Sequence, residues 1–111
     1  MNDADAQTAM NIIYYAGNSK SAALLAIDAA FAGDFVKAEA QMKTAHEQLS
    51  EAHKIQTKLM TDEINGQSIE KSIILIHAQD QFMAANTEIE LGERMIQYAK
   101  IHDTGQGRTK S

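Results

Sequence analysis

The architecture turns on Ser72-Ile73-Ile74-Leu75-Ile76-His77-Ala78-Gln79-Asp80-Gln81-Phe82-Met83. It is an apolar run that carries a histidine and, three residues later, an aspartate. On an α-helix each residue turns by about 100°. Ile69, Ile73, Ile76, Asp80, Met83 and Thr87 then fall on one narrow stripe with a 4,3,4,3 rhythm. Leu75, Ala78, Phe82, Ala85, Ile89 and Ile96 fall on a second stripe, on nearly the opposite side. A helix that is apolar on two sides must be covered on two sides. Asp80 lies inside the first stripe, where a lone carboxylate is costly. His77 lies about 60° round from Asp80, on the flank between the stripes, where a groove between packed helices would open.

Working outward, the next boundary upstream is Asn65-Gly66-Gln67-Ser68. It reads as a turn with Ser68 as the N-cap of a helix from Ile69 to about His102. Before it, Phe35, Ala38, Met42, Ala45, Leu49, Ala52, Gln56 and Leu59 keep heptad spacing in a second helix that ends near Ile64. Gly33-Asp34 separates this helix from the first. Glycine suits the left-handed position after a helix end, and aspartate suits the N-cap of the next helix. Helix 1 is predicted from near Asp5 to Ala32, with a stripe of Ile13, Ala16, Ala23, Leu24, Ile27, Ala30 and Phe31. Gly17-Asn18-Ser19 interrupts that stripe, either as a close-packing point or as a contribution to the groove. Residues 1–8 are polar and predicted to fray, and residues 104–111 lack an apolar anchor and read as a disordered tail.

The architecture that follows is all-α: an antiparallel three-helix bundle, up-down-up, in a single domain over residues 1–103. Short links make sequential helices antiparallel neighbours. A three-helix bundle has one core, yet helix 3 has two apolar faces. The second face therefore calls for another chain, and repetition of helix 3 about an axis is the simplest closed solution. The pattern implies a symmetric oligomer and leaves its subunit number open.

Composition agrees. The 111-residue chain has no proline, cysteine or tryptophan, and aromatics make up only 5% of it. The core must be built from Leu, Ile, Met and Ala, which suits close helix packing. Without cysteine there is neither disulfide nor thiolate chemistry. The net charge of -5 argues against nucleic acid as partner. No signal segment or long uncharged apolar run is present, so a cytoplasmic protein without membrane insertion is expected.

Four histidines are available: His46, His53, His77 and His102. His46 and His53 are seven apart, two turns along one face, too far for one zinc ion. No His-x-x-x-His or Glu-x-x-His spacing occurs, so the helical zinc and di-iron signatures are missing. His102 lies near a helix C-terminus and reads as structural. His77 admits four readings: a core histidine, a general base, a metal ligand or a phosphoryl acceptor. The last needs a neutral, accessible ring nitrogen beside a surface where partners can dock. Asp80 admits two. On a rotation axis, converging carboxylates must share protons or hold a hard cation such as magnesium. Alternatively, Asp80 is a polar seam residue that sets register.

The run Ile73-Ile74-Leu75-Ile76-His77-Ala78-Gln79-Asp80 resembles the active-site segment of the lactose/cellobiose-type enzyme IIA of the bacterial sugar phosphotransferase system. Ala32-Gly33-Asp34-Phe35 is similar to that family's first helix junction. Glu51-Ala52-His53 and Gln56-Thr57-Lys58-Leu59 are similar to its second helix. The resemblance implies a homotrimer of three-helix subunits. It implies that His77 accepts a phosphoryl group from the phosphocarrier HPr and passes it to a cysteine of enzyme IIB, during uptake of a β-linked disaccharide of the lactose or cellobiose/chitobiose type. It also implies one Mg2+ per trimer, shared by three Asp80 carboxylates. His53 and Gln56 match family positions without an assigned role. Many relatives carry histidine where this chain has Gln81. Gln79, Gln81 and Gln56 are the candidate donors to phosphate oxygens. The competing reading is a non-catalytic helical oligomerisation or interaction module whose second apolar face binds a different helical protein.

Overall fold

Residues 3–66 and 72–103 are described by a computed structural model. Three long helices form in it: α1 (Asp3–Phe31), α2 (Phe35–Ile64) and α3 (Ile73–Ile101). They run up-down-up, so the N-terminal ends of α1 and α3 meet the C-terminal end of α2. The result is a rod of 57 × 21 × 18 Å.

The two junctions are set by local chemistry. After α1 the chain takes a left-handed turn at Gly33, with φ +82. Gly33 N–H donates to the Ala30 carbonyl at 3.0 Å and Asp34 N–H to the Ala29 carbonyl at 2.9 Å. Those two bonds satisfy carbonyls that a helix end leaves open. Asp34 then caps α2, its carboxylate accepting the Lys37 N–H at 3.1 Å. The predicted junction is thus the observed one. α3 starts later than expected. Its N-cap is Ser72, whose Oγ accepts the Leu75 N–H at 3.2 Å and whose backbone is extended. A serine in that conformation stops the helix from continuing backwards. Ser68 and Ile69, the expected cap and first turn, lie outside the described residues, as does the expected tail 104–111.

Alanine dominates the interior. One core cluster joins Ala22, Ala26, Ala30, Ala38, Ala45 and Ile89 toward the α1–α2 junction. The other joins Ala9, Ile12, Leu75 and Ala78 at the opposite end, with Ile55, Leu59 and Phe82 packed against it. Between them Ser19 is fully buried and its hydroxyl donates to the Ala45 carbonyl at 2.9 Å. Asn18 Nδ2 donates to Gln48 Oε1 at 3.1 Å beside it. Side chains this small let helix axes approach closely. At Gly92 of α3 an added Cβ would meet both Ile27 Cδ1 and Met42 Cε at 3.2 Å.

Close approach also corrects the α1 prediction. Ala16, Ala23 and Ala30 are buried as expected, but Leu24 and Phe31 are 47% and 65% exposed. Alanines turn inward and the larger apolar side chains turn outward, because there is no room for them between the helices. Gly17 is not a close-packing point: nothing lies within 4 Å of where its Cβ would sit.

Candidate functional site

The two stripes of α3 separate as their spacing predicts. Leu75, Ala78, Ala85, Ile89 and Ile96 are buried, and Phe82 is half-buried. On the other side Ile73, Ile76 and Met83 are 86%, 58% and 65% exposed, with Asp80 exposed among them. A row of large apolar side chains left in water is unusual for a finished surface and marks an interaction face.

His77 is exposed on the flank of that row. Its imidazole makes no hydrogen bond to another described residue, and Asp80 does not bond to it. Both ring nitrogens are therefore open. Helix geometry turns Gln79 about 200° from His77, and Gln81 only about 40°. Gln81 therefore shares the His77 flank, the side of α1. Gln79 is on the opposite flank and faces α2.

There Gln79 meets Gln56. Gln56 Nε2 donates to Gln79 Oε1 at 2.7 Å, linking α2 to α3. Gln56 Oε1 is buried without a partner. The pair stands beside a cavity of about 430 Å³ between the C-terminal end of α2 and the N-terminal end of α3. Leu59, Met60, Glu63, Ile76, Gln79 and Asp80 line it. Next to it His53 stacks on Phe82, ring centroids 6.0 Å apart. The three candidate donors are thus divided: Gln56 and Gln79 together on one flank, Gln81 with His77 on the other. Sequence reasoning missed the Gln56–Gln79 pair. Its signal was a glutamine in the otherwise apolar heptad row of α2.

The remaining histidines have structural settings. His46 Nε2 lies 3.0 Å from Glu93 Oε2, across α2 and α3. His102 caps α3 with its ring 4.1 Å from that of Tyr98. Lys100 pairs with Glu39 and holds that carboxyl below the usual carboxylate range, through a hydrogen bond first and its charge second.

The expectation of magnesium at Asp80 is overturned. Among the described residues no group of three or more His, Cys, Asp or Glu side chains comes together to hold a metal ion. A hard divalent cation needs about six oxygen ligands. Asp80 shares its cavity with one other carboxylate, that of Glu63. In the single chain it is an exposed carboxylate.

Fold and site together define a small all-α protein that works at its surface. An open imidazole stands beside an apolar face on a rod with a tightly packed interior. No described helix is long and apolar enough to cross a membrane. Residues 7–100 match the family model described as the lactose/cellobiose-specific IIA subunit of the PTS system. The chain is 38% identical over 102 residues to the lichenan-specific phosphotransferase enzyme IIA component of Bacillus subtilis, covering 91% of this chain and 93% of that one. It is 41% identical over 87 residues to the cellobiose-specific EIIA component of Lactococcus lactis, 78% and 75% of the two chains. Among solved structures, the cellobiose-specific enzyme IIA of Bacillus anthracis superposes with a TM-score of 0.87 at 37% identity, over 90% and 92% of the two chains. The chain belongs to the PTS lactose/cellobiose-specific IIA family. It is a phosphotransferase component, and the family's general role is to relay a phosphoryl group through a histidine, from HPr to a IIB component, for a lactose/cellobiose-type sugar.

Proposed function

We propose that His77 is the phosphoryl-carrying residue of this chain. The observation that carries the reading is its setting: the imidazole is exposed, open at both nitrogens and beside the apolar face of α3. The ε nitrogen of neutral His77 attacks the phosphorus of phosphohistidine on HPr. A new N–P bond forms as the N–P bond on HPr breaks, and the HPr imidazole leaves neutral once a proton is exchanged. The reverse logic serves the next step, in which a cysteine thiolate of enzyme IIB takes the group. The reaction asks for positioning and for donors to the phosphoryl oxygens, not for further covalent machinery. The sugar is a β-linked disaccharide of the lactose or cellobiose/chitobiose type, and the relay runs in the cytoplasm.

The working assembly is a homotrimer about α3, over the bundle formed by residues 1–103. Its support is the exposed row of Ile73, Ile76 and Met83, which a single chain leaves in water. Asp80 within that row acts as a polar seam residue that sets register. A cyclic assembly joins unlike flanks of neighbouring copies. The His77 flank of one copy then meets the Gln79 flank, with its cavity, of the next.

The test is phosphoryl transfer from phosphoenolpyruvate through enzyme I and HPr, read by intact mass. The unaltered chain is expected to gain one phosphoryl group, and His77→Ala to gain none while keeping its helix content and oligomeric mass. Retained phosphorylation in that variant overturns the assignment.

A further inference from the structure

The bond between Gln56 and Gln79 has a direction. Two side-chain amides can pair in either sense. In the observed sense Gln56 donates, and its own Oε1 is left buried without a partner. The reverse sense would leave the Gln56 NH2 group buried and unpaired instead. Orphaned buried N–H groups are rarer and costlier than under-satisfied carbonyls, so the observed sense is favoured. Its consequence falls on Gln79. With Oε1 already accepting from Gln56, the Gln79 NH2 group is what remains to face the cavity that Gln79 lines. An amide that would otherwise offer either end is fixed as a donor.

We propose that Gln56 is a positioning residue for phosphoryl transfer: its N–H holds the Gln79 amide so that the Gln79 NH2 group faces the α2–α3 cavity and donates to the phosphoryl oxygens carried on His77 of the adjoining copy. This rests on the carrier and trimer reading above. Gln56 itself does not touch the phosphoryl group. Position 56 requires a side chain that can donate, and an acceptor-only group there would reverse the Gln79 amide. Its carbonyl would then point at an anion and repel it.

Gln56→Glu performs that reversal with little change of shape. The experiment measures transfer from phospho-HPr to the full-length chain at pH 8 and pH 6, for the unaltered chain, Gln56→Glu, Gln79→Ala and the double variant. Loss of a donor that acts in the transition state lowers kcat and kcat/KM together, here by about tenfold or more. Gln79→Ala and Gln56→Glu are each expected to show that loss at pH 8. The double variant is expected to be no slower than Gln79→Ala, because Gln56 acts only through Gln79. Lowering the pH to 6 is expected to narrow the Gln56→Glu deficit, since a buried introduced carboxylate takes up a proton readily and can donate again.

Transfer at the unaltered rate by Gln56→Glu overturns the inference. So does a double variant slower than Gln79→Ala by the full Gln56→Glu factor, which would mean that position 56 acts directly. An unaltered chain that takes no phosphoryl group overturns the carrier reading and this inference with it. Transfer that depends on His77 but not on Gln56 overturns this inference alone. Side-chain amide NMR of the unaltered chain does not depend on any variant folding. The Gln56 NH2 protons are expected to exchange slowly and those of Gln79 quickly, and the reverse order overturns the proposal.

Discussion

Replacing Ile73 and Ile76 together by glutamine would test whether the open face of α3 is an assembly seam. Both side chains project from the bundle, 86% and 58% exposed, so the change removes almost no contact within one copy. Glutamine is as good a helix former as most residues, so α3 itself is preserved. Full burial of an isoleucine side chain is worth about 1.5–3 kcal/mol. About one and a half such side chains remain in water on each copy. The double substitution should therefore remove about 2–4 kcal/mol of assembly energy per copy, or about 6–12 kcal/mol per trimer. Each 1.4 kcal/mol is a factor of about ten, so the trimer dissociation constant rises by at least about four orders of magnitude. Even half that energy would suffice to separate the copies at the concentrations used in sedimentation equilibrium. The expected result is a trimer for the unaltered chain and a helical monomer for the variant. An unchanged mass for the variant would refute the argument that these side chains form the seam. A variant with lost helix content would refute the premise that they do not support the single copy.

Three smaller changes follow from local geometry. Gly17→Ala should stabilise the chain by about 1 kcal/mol, because α1 continues through that position and the new methyl group meets no neighbour; thermal melting should rise by several degrees. Gly33→Ala should destabilise it by about 1–2 kcal/mol, because the α1–α2 junction needs φ +82 there, and urea unfolding would register the loss. The third concerns Glu39, whose carboxyl is held low by Lys100. A depressed carboxylate contributes stability that is present above its ordinary titration range and is lost as pH falls through the lowered value. Lys100→Met should return the Glu39 titration, followed by NMR, to the ordinary carboxylate range, and high salt should weaken the effect in the unaltered chain.

The residues that set the fold were readable because they act locally. Gly33-Asp34 specifies a turn by backbone conformation and a cap by one carboxylate, and both operate within a few residues. The two stripes of α3 were readable because burial repeats with the helix period. What escaped was non-local. Leu24 and Phe31 look like core residues in a one-dimensional pattern and are turned out because alanines on facing helices leave no space. Ser72 caps α3 by a backbone conformation that composition alone does not reveal. In the site, the helix period puts His77 on the flank of the row that holds Asp80, and both are exposed in the single chain. The separation of Gln79 from His77 follows from the helix turn alone. Its pairing with Gln56 required knowing how α2 sits against α3. The magnesium expectation, one ion shared by three Asp80 carboxylates, came from the resemblance and is overturned because no group of three metal-binding side chains comes together among the described residues.

The alanine interior has a bearing on how the protein is read by its partners. An alanine side chain has no rotamer to switch, and helices packed on alanine have little slack in which to shift. Such a rod has few alternative arrangements to offer when a group is added at its surface. The loaded and unloaded forms should therefore share one shape and differ in charge at one spot. Recognition of the loaded form then becomes an electrostatic matter, settled where the partner touches and not transmitted through the bundle. The molecule behaves as a stiff peg whose message is written on its side.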